Sequence, residues 1–365
     1  MRILHVISSA AAGGAEIYVK DLSIEMVKAG HQVFILFLDR ATEAGRDGDF
    51  EAKFLREIEL QGIEYGFIGA AARKKPWRGI SKINGAVSDF SPDIVHCHLY
   101  YAAIFSLFVK NANVVYTHHN IRLGAKPIIY KLLDMKVSRY IGICQACKEL
   151  LKGVSRKKVV RIDNGVSPAR IQKRLRGREE KGREEKGSEV AKLISVGRLS
   201  DQKNLVLLIS SLAKLVDVRY QLKIAGEGPL RESLEQLAND KGISAHIEFL
   251  GNVSNVDELL YEADVFVMSS AWEGLPIAQI EATLSGLPVI VTNVGGCAEI
   301  VHKTCNGIVV DELDEESYAQ ALEKMLTNHS LHHLFSQNAL AYSSDYLIKT
   351  SADKHIALYK EALTA

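Results

Sequence analysis

Two carboxylates bracket a predicted helix start in the second half of the chain. Glu273 precedes Pro276, and Glu281 follows it, between apolar runs that are typical of buried strands. Proline suits a first helical position because its missing N–H would have no partner there, so the sequence predicts a helix from Pro276 to just before Gly286. The N–H groups and the dipole of a helix start attract anions. The segment therefore predicts an anion site, with a carboxylate on either side.

Two cations share one loop upstream of that helix. Arg198 and Lys203 lie in VGRLSDQKN, directly after a predicted strand. Fixed guanidinium and ammonium groups at the carboxyl end of a strand match a diphosphate. A solvated surface loop is the alternative interpretation.

A glycine turn opens the first helix of the chain. Gly13 and Gly14 in AAGGAE allow a backbone to approach a ligand closely, and Glu16 follows them. The turn is not the GxGxxG dinucleotide fingerprint, and glycine turns occur in many sheets, so its specificity is low.

Four histidines end two neighbouring predicted strands. His96 and His98 end one of them, and His118 and His119 end the next. Imidazoles can ligate a metal, but no carboxylate or cysteine joins them at a recognised metal-ligand spacing, which disfavours metal. Contact with a substrate and a structural role in a polar cleft both stay open.

Five cysteines scattered over 365 residues do not form a disulfide framework and favour a reducing cytoplasm. Cys144 and Cys147 form a CxxC where a predicted strand meets a predicted helix. No second Cys or His pair lies nearby, so the motif alone does not favour a redox or metal role.

The whole chain alternates strand-like and helix-like segments, which predicts an α/β fold with parallel sheets covered on both faces. Its length predicts two domains. GREEKGREEKG repeats a charged unit without an apolar side chain, which is typical of a linker. The prediction is two Rossmann-like doubly wound domains facing across a cleft, with these parts: an N-terminal domain over 1–167, a linker over 168–190, a C-terminal domain over 191–345, and a helix over 346–365 that packs back on the first domain.

Charge divides unevenly between the halves. Residues 1–165 carry 24 Lys and Arg against 16 Asp and Glu, and the rest carries 21 against 28. The basic first half fits an anionic partner. The alternative interpretation is that opposite charges only help the two domains to face each other. Four cations surround a tryptophan there, which suits an anionic membrane face. These residues are Arg73, Lys74, Lys75, Trp77 and Arg78.

Taken in order, the motifs resemble the retaining glycosyltransferases of family four, which have the two-domain GT-B architecture. The resemblance covers nearly the whole chain. Any one motif is weak, whereas the ordered set is specific. The motifs are GGAE, HCH, THHN, the NGV at Asn164, GRLSDQKN, GEGPL, FLGNV, the spacing of Glu273 and Glu281, and the GG that ends at Gly296.

This resemblance implies roles for individual residues. Arg198 and Lys203 would hold the diphosphate of a nucleotide-sugar donor, Glu281 the ribose, and Glu273 the donor sugar. His119 would lie near that sugar and act with Glu273, Arg198 and Lys203 in catalysis. Further donor contacts would come from Gly13, Gly14, Val253, Gly274, Leu275 and Pro276, and acceptor contacts from Glu16, His98 and His118.

The expected activity is metal-independent transfer of a hexosyl or N-acetylhexosaminyl group, with retention and without a cofactor. A UDP-sugar is favoured over a GDP-sugar. The expected acceptor is a lipid-linked glycan of bacterial surface polysaccharide, such as O-antigen, capsule or lipopolysaccharide. No nucleic-acid partner is expected, and the expected location is the cytoplasm, at the inner face of the membrane. The alternatives are a soluble transferase for a small metabolite or natural product, a nucleotide-sugar sensor, and an epimerase.

Overall fold

The computed structural model describes residues 1–171, 190–253, 255–341 and 343–364. Most of the predicted charged linker, residues 172–189, lies outside the described ranges. The chain forms two compact units. Unit 1 comprises Met1–Gly165 and Ile348–Ala365, and unit 2 comprises Val166–Leu347.

Unit 1 is built on a seven-stranded parallel sheet in the order β3-β2-β1-β4-β5-β6-β7. Its strands are short runs of β-branched and other apolar residues, buried on both faces in the centre of the sheet, as parallel sheets require. The order reverses between β1 and β4, and ligands of such sheets bind at the carboxyl ends of strands beside this point. The strands are β1 (Arg2–Ile7), β2 (Gln32–Phe37), β3 (Glu64–Phe67), β4 (Ile94–Cys97), β5 (Asn113–His118), β6 (Val137–Gly142) and β7 (Lys158–Arg161).

Helices connect these strands, and one helix joins unit 1 from the far end of the sequence. They are α1 (Gly14–Lys28), α2 (Gly48–Leu60), α3 (Ala71–Lys74), α4 (Pro76–Phe90), α5 (Tyr100–Phe105), α6 (Pro127–Leu133), α7 (Gln145–Lys152) and, after unit 2, α15 (Ile348–Thr364). The returning helix α15 packs against α1. The Tyr18 hydroxyl lies 2.7 Å from that of Ser351, and the Tyr359 hydroxyl lies 2.6 Å from Nδ1 of His96.

Unit 2 repeats this arrangement with six parallel strands in the order β10-β9-β8-β11-β12-β13, reversing between β8 and β11. The strands are β8 (Ala191–Val196), β9 (Tyr220–Ala225), β10 (Ile247–Gly251), β11 (Val265–Met268), β12 (Val289–Thr292) and β13 (Gly307–Val310). The helices are α8 (Leu205–Leu212), α9 (Arg231–Asp240), α10 (Val256–Glu262), α11 (Ile277–Leu284), α12 (Gly296–Thr304), α13 (Glu315–Thr327) and α14 (His329–Ala341).

Within the described residues, each of the thirteen strands coincides with a strand-like segment of the sequence, so the predicted pair of doubly wound parallel sheets is confirmed. Apolar side chains cover both faces of the unit 2 sheet, with Leu208 and Tyr318 in one cluster and Phe266 and Val301 in the other. Among the described residues, no helix combines the length and the apolar character needed to cross a membrane.

Candidate active site

The loop after β8 carries the two predicted phosphate ligands of unit 2. It packs tightly on the loop after β9, because the N–H groups of Gly197 and Leu199 donate to the carbonyls of Ala225 and Glu227 at 2.9 and 3.0 Å. A Cβ on Gly226 would lie 2.0 Å from the Gly197 carbonyl oxygen, so only glycine permits this approach. The loop is therefore fixed, and the exposed Arg198 side chain extends from a rigid base.

Lys203, at the end of this loop, is paired with Glu273. Its Nζ lies 2.6 Å from Oε1 of Glu273, which also accepts a hydrogen bond of 2.9 Å from the Ser270 hydroxyl. The Ser269 hydroxyl holds the turn from β11, lying 3.1 and 2.9 Å from the carbonyl oxygens of Lys203 and Asn204. Both charged side chains are largely buried. The structure thus brings together the predicted phosphate ligand and the predicted sugar ligand.

The predicted anion-binding helix is α11, and the sequence placed its start one residue too early. Pro276 is the residue before the helix, with an extended backbone at ψ 123°, and Ile277 is the first helical residue. The fixed φ of proline allows either position, so the sequence could not decide between them. The first bond within the helix runs from the Ile280 N–H to the Pro276 carbonyl, leaving the N–H groups of residues 277–279 without partners inside the helix.

The segment before α11 is buried and tied to the glycine pair at the start of α12. Gly274, Leu275 and Pro276 are all buried, and the carbonyl of Gly274 accepts a hydrogen bond of 2.6 Å from the N–H of Gly296. This contact orients the chain that follows Glu273. Val253, a predicted donor contact, is partly buried after β10 and packs against the apolar core of unit 2.

Glu281 lies inside α11 and is buried, and it is held by an arginine that the sequence analysis did not single out. Arg170, in a short 3₁₀ helix over Pro168–Arg170, donates from Nε to Oε1 of Glu281 at 2.5 Å. Arg170 precedes Glu281 by 111 residues, and no spacing signal connects the two. A buried carboxylate is costly unless it is paired, so Arg170 stabilises the ionised form of Glu281 in this place.

In unit 1, Glu16 folds back over the glycine turn at the start of α1. The Ser8 hydroxyl donates to its carboxylate, and a terminal guanidinium nitrogen of Arg46 lies 3.5 Å from it. A Cβ on Gly13 would lie 2.1 Å from the Glu16 carboxylate, so the glycine makes room for this acidic group. Gly14 is the first residue of α1. No sequence motif singles out Arg46.

His119 and His98 belong to one chain of hydrogen-bonded imidazoles. Nε2 of His119 lies 3.0 Å from Nδ1 of His98, and Nε2 of His98 lies 3.0 Å from Nδ1 of His5. Burial lowers the pKa of His119 to about 3, with smaller effects from His118 and His355. The Nδ1 atom of His119 is buried and has no hydrogen-bond partner among the described residues. His119 is thus a neutral ring with one nitrogen available for a ligand.

His118 faces a different environment from His119. It is the last residue of β5, and its ring nitrogens lie 2.8 Å from the Tyr116 hydroxyl and 3.1 Å from the Arg122 carbonyl. Burial lowers its pKa to about 4. The structure therefore distinguishes the two histidines, whose roles the sequence alone does not decide. Both ring nitrogens of His118 have hydrogen-bond partners in the interior, whereas Nδ1 of His119 has none among the described residues.

His5, His96 and His98 are close enough together to ligate a metal, since ligand atoms from all three lie within 4.8 Å of one another. Most of their ring nitrogens already have hydrogen-bond partners. Both nitrogens of His96 are engaged, with Tyr359 and Thr117, and both nitrogens of His98 are engaged with the neighbouring imidazoles. Only Nε2 of His5 lacks a partner among the described residues. The arrangement suits a hydrogen-bond network.

The predicted basic patch lies on the surface of unit 1, at α3 and the start of α4. Lys74, Lys75 and Arg78 are exposed, and Trp77 exposes 64% of its surface. The side chain of Arg73, the fifth predicted member, is not described. An indole that is exposed to this degree amid cations suits an interfacial contact.

Comparison with known proteins supplies the family. Residues 12–170 match the family model described as Glycosyltransferase Family 4, and residues 177–341 match the model described as Glycosyl transferases group 1. Together the two matches span nearly the whole chain.

Two bacterial relatives resemble about a third of the chain. A lipopolysaccharide core biosynthesis glycosyltransferase of Rhizobium meliloti is 34% identical over 139 residues, which is 38% of this chain and 40% of the relative. A GDP-mannose-dependent phosphatidylinositol monomannoside mannosyltransferase of Mycobacterium tuberculosis is 38% identical over 135 residues, which is 34% of each chain.

The fold has a solved counterpart of similar length. The structure of Anabaena HepE in complex with UDP and glucose matches with a TM-score of 0.80 at 19% identity, covering 99% of both chains. At this identity the likeness establishes the fold. With both family models matched and both parallel sheets in place, the chain belongs to the group 1 glycosyltransferases with the GT-B fold.

Proposed function

We propose that this glycosyltransferase moves a hexosyl or N-acetylhexosaminyl group from a nucleoside diphosphate sugar to a lipid-linked glycan, with retention of anomeric configuration. The acceptor would be an intermediate of bacterial surface polysaccharide, such as O-antigen, capsule or lipopolysaccharide. The observation that carries the proposal is the pairing of Lys203 with Glu273, beside the exposed Arg198 and directly before the start of α11. This group offers two cations and a helix start to a diphosphate, and a carboxylate to a sugar.

The paired state of Lys203 suggests how the donor would engage. A diphosphate is a stronger partner for an ammonium group than a single carboxylate, because it presents more charge and more acceptor oxygens. When Lys203 turns to the phosphates, Glu273 becomes able to accept hydrogen bonds from sugar hydroxyls. Glu281, held by Arg170, would accept the ribose hydroxyls, and Val253 would contact the base.

The chemical step would be stabilised by charges that are already in place. The bond between the anomeric carbon and the phosphate oxygen breaks, and negative charge develops on the departing diphosphate. Arg198, Lys203 and the N–H groups at the start of α11 would stabilise that charge without a metal. The acceptor oxygen attacks from the same face, and the departing phosphate takes its proton, which retains the configuration.

Unit 1 would contribute the remaining contacts. Gly13 and Gly14 would approach the diphosphate, and Nδ1 of neutral His119 would bind a sugar hydroxyl. Glu16 and His98 would lie on the acceptor side. Exposed Trp77, with Lys74, Lys75 and Arg78, would contact the anionic inner face of the membrane, where a lipid-linked acceptor resides.

The donor base is the least constrained part of the proposal. UDP is favoured, and the HepE structure contains UDP, whereas the mycobacterial relative is GDP-mannose-dependent. Thermal unfolding of the purified protein with UDP-, GDP- and ADP-sugars separates these donors, because a ligand that binds only the folded state raises the unfolding temperature. UDP-sugars are expected to produce the largest rise.

Turnover tests the reaction class. Incubation with the preferred donor and a polyprenyl-linked glycan acceptor should release nucleoside diphosphate and form an anomerically retained product, which NMR identifies. An epimerase would instead interconvert the nucleotide sugar without releasing diphosphate, and a sensor would bind the donor without turning it over. Transfer to a small soluble acceptor, with no liposome binding, would favour the soluble transferase.

The membrane contact has its own test. The triple variant Lys74→Glu, Lys75→Glu and Arg78→Glu should lose liposome binding, and unchanged binding would contradict the membrane contact.

A further inference from the structure

The two cysteines of the CxxC motif lie in contact at the start of α7. Cys144 is the residue before the helix, and Cys147 is in its first turn. Their sulfur atoms lie 3.2 Å apart, and the N–H of Cys147 points to the sulfur of Cys144 at 3.4 Å. Both thiols are reduced and buried. This is the position in which a helix dipole and N–H groups stabilise a thiolate, so Cys144 is the better nucleophile of the two.

The sheet is shaped to receive this turn. Gly142 ends β6 directly below it, and a Cβ at Gly142 would lie 2.4 Å from the backbone nitrogen of Lys148 and 2.9 Å from the carbonyl carbon of Cys147. Any larger residue at this position would push the first turn of α7 off the strand. The close approach fixes the backbone on which both sulfur atoms are placed.

Both cysteines lie at the start of α7, and the two residues between them, Gln145 and Ala146, are exposed. The ends of helices open locally at a lower free-energy cost than the centre of a sheet. We therefore expect a disulfide reagent to reach the buried pair when this first turn opens.

The pair also contacts the segment that carries His119. The thiol of Cys147 donates to the carbonyl oxygen of Asn120 at 3.3 Å, and Asn120 directly follows His119. The side chain of Asn120 in turn accepts from the N–H of Arg122 at 3.1 Å, which closes the loop. The redox state of Cys147 thus bears on the loop that positions His119.

We propose that Cys144 and Cys147 are a reversible disulfide site that responds to cellular disulfides and controls the loop after β5. The thiolate of Cys144 attacks a disulfide RSSR, such as oxidised glutathione, forming a mixed disulfide and expelling one RS⁻. The thiolate of Cys147 then attacks the sulfur of Cys144 and expels the second RS⁻. The two cysteines lose two protons and two electrons, and the reagent becomes two RSH.

Closure of the bond changes the support of the loop. The sulfur atoms approach from 3.2 Å to about 2.05 Å, and Cys147 loses the proton that it donates to Asn120. The oxidised protein is therefore expected to hold residues 119–122 less firmly. The effect on turnover rests on the proposed function, whereas formation of the bond and the change in the loop do not.

The test compares the reduced protein with protein equilibrated in oxidised glutathione. We expect a mass loss of two hydrogens, protection of Cys144 and Cys147 from alkylation after denaturation, and a peptide crosslink between them. Cys305→Ser protein removes the exposed thiol and excludes bonds between chains. Cys97 and Cys297, which are equally buried but not adjacent to each other, serve as internal controls and should stay alkylatable. Persistence of both thiols in that buffer would overturn the proposal.

Coupling to the loop has its own measurement. Amide hydrogen exchange of a peptide covering residues 119–122 should accelerate severalfold on oxidation in the wild-type protein. It should not respond in Cys144→Ser or Cys147→Ser protein. Exchange that is equal in the two redox states would refute the coupling even if the disulfide forms. With a donor and acceptor that the enzyme turns over, oxidation should lower turnover severalfold and dithiothreitol should restore it. If the disulfide and the exchange change appear without turnover in either state, the proposed function fails and this inference stands.

Discussion

Lys203 and Glu273, 70 residues apart in sequence, form an ion pair of 2.6 Å that links the loop after β8 to the segment before α11. Each side chain compensates the charge of the other, which lowers the free-energy cost of burying both. Because a bound diphosphate would replace Glu273 as the partner of Lys203, the two residues are expected to act on the same substrate in succession.

The first prediction is that Lys203→Ala lowers kcat/KM by about 100-fold, as expected when one cationic donor to a developing negative charge is removed. Steady-state kinetics with the preferred donor measures the loss. Lys241→Ala changes an exposed lysine of the same unit and should keep wild-type kinetics. Unchanged turnover and donor affinity in the Lys203 variant would sink the assignment of the diphosphate site.

Arg170 carries the second prediction, since it is the partner of buried Glu281. Arg170→Ala leaves that carboxylate uncompensated and should lower the free energy of unfolding by about 3 kcal/mol. It should also weaken nucleoside diphosphate binding, because Glu281 would no longer be held in place. Urea unfolding and calorimetric titration measure these effects.

Arg170→Lys keeps the positive charge but not the fork of nitrogens, so an intermediate loss is expected from it. Arg219→Ala, which removes an exposed arginine of the same unit, is the control. Wild-type stability in the Arg170→Ala variant would show that the pair is dispensable.

The third prediction separates His118 from His119. His119→Ala should lower kcat by about 100-fold, because its Nδ1 is available for the sugar. His118→Gln should lower the free energy of unfolding by about 1–2 kcal/mol, because it disturbs the bonds to Tyr116 and Arg122, and should change kcat less than threefold. Kinetics and urea unfolding of both variants decide the matter, and the reverse pattern would exchange the two assignments.

The fourth prediction concerns acid stability. Burial lowers the pKa values of His5 and His119 to about 3 and those of His118 and His355 to about 4, and it holds those of His96 and His98 well below the usual range. The unfolded chain, with histidine pKa values of about 6.5, therefore binds more protons than the folded chain at mildly acidic pH. The stabilisation is complete above pH 6.5 and is lost as the pH falls from there towards 4.

Each such histidine should contribute a slope of about 1.4 kcal/mol per pH unit to the free energy of unfolding below pH 6.5. Urea unfolding at a series of pH values measures the combined slope. His355→Gln should reduce it by one proton, whereas His246→Gln, at an exposed position, should leave it unchanged. A flat profile between pH 6.5 and 4.5 would contradict the burial of the cluster.

The sheets were predictable because each strand is a local apolar run, as in Val265–Met268 and Val289–Thr292. The ends of elements were less so. Pro276 satisfies both the position before a helix and the first position within it, and the choice depends on contacts such as that of Gly274 with Gly296. Local sequence patterns determine where helices and strands form, whereas tertiary contacts determine the residue at which each one begins or ends.

Ion-pair partners that lie far apart in the chain could not be predicted from the sequence. Arg170 and Arg46 resemble any other surface arginine in the chain, and only the folded units place them against Glu281 and Glu16. The different environments of His118 and His119 could not be predicted for another reason. Successive residues of a strand point to opposite faces, but His119 lies just past the end of β5, where that alternation no longer applies.

The return of α15 to unit 1 has a consequence for biosynthesis. Tyr359 and Ser351, which bond to His96 and Tyr18, are translated only after all of Val166–Leu347. At 5–20 residues per second, that interval is roughly 10 to 40 s. During that time α15 is not yet present to cover the histidines of the nascent first unit. A ribosome that stalls within unit 2 would therefore hold a first unit that still lacks α15, with its imidazole-lined face open to a chaperone.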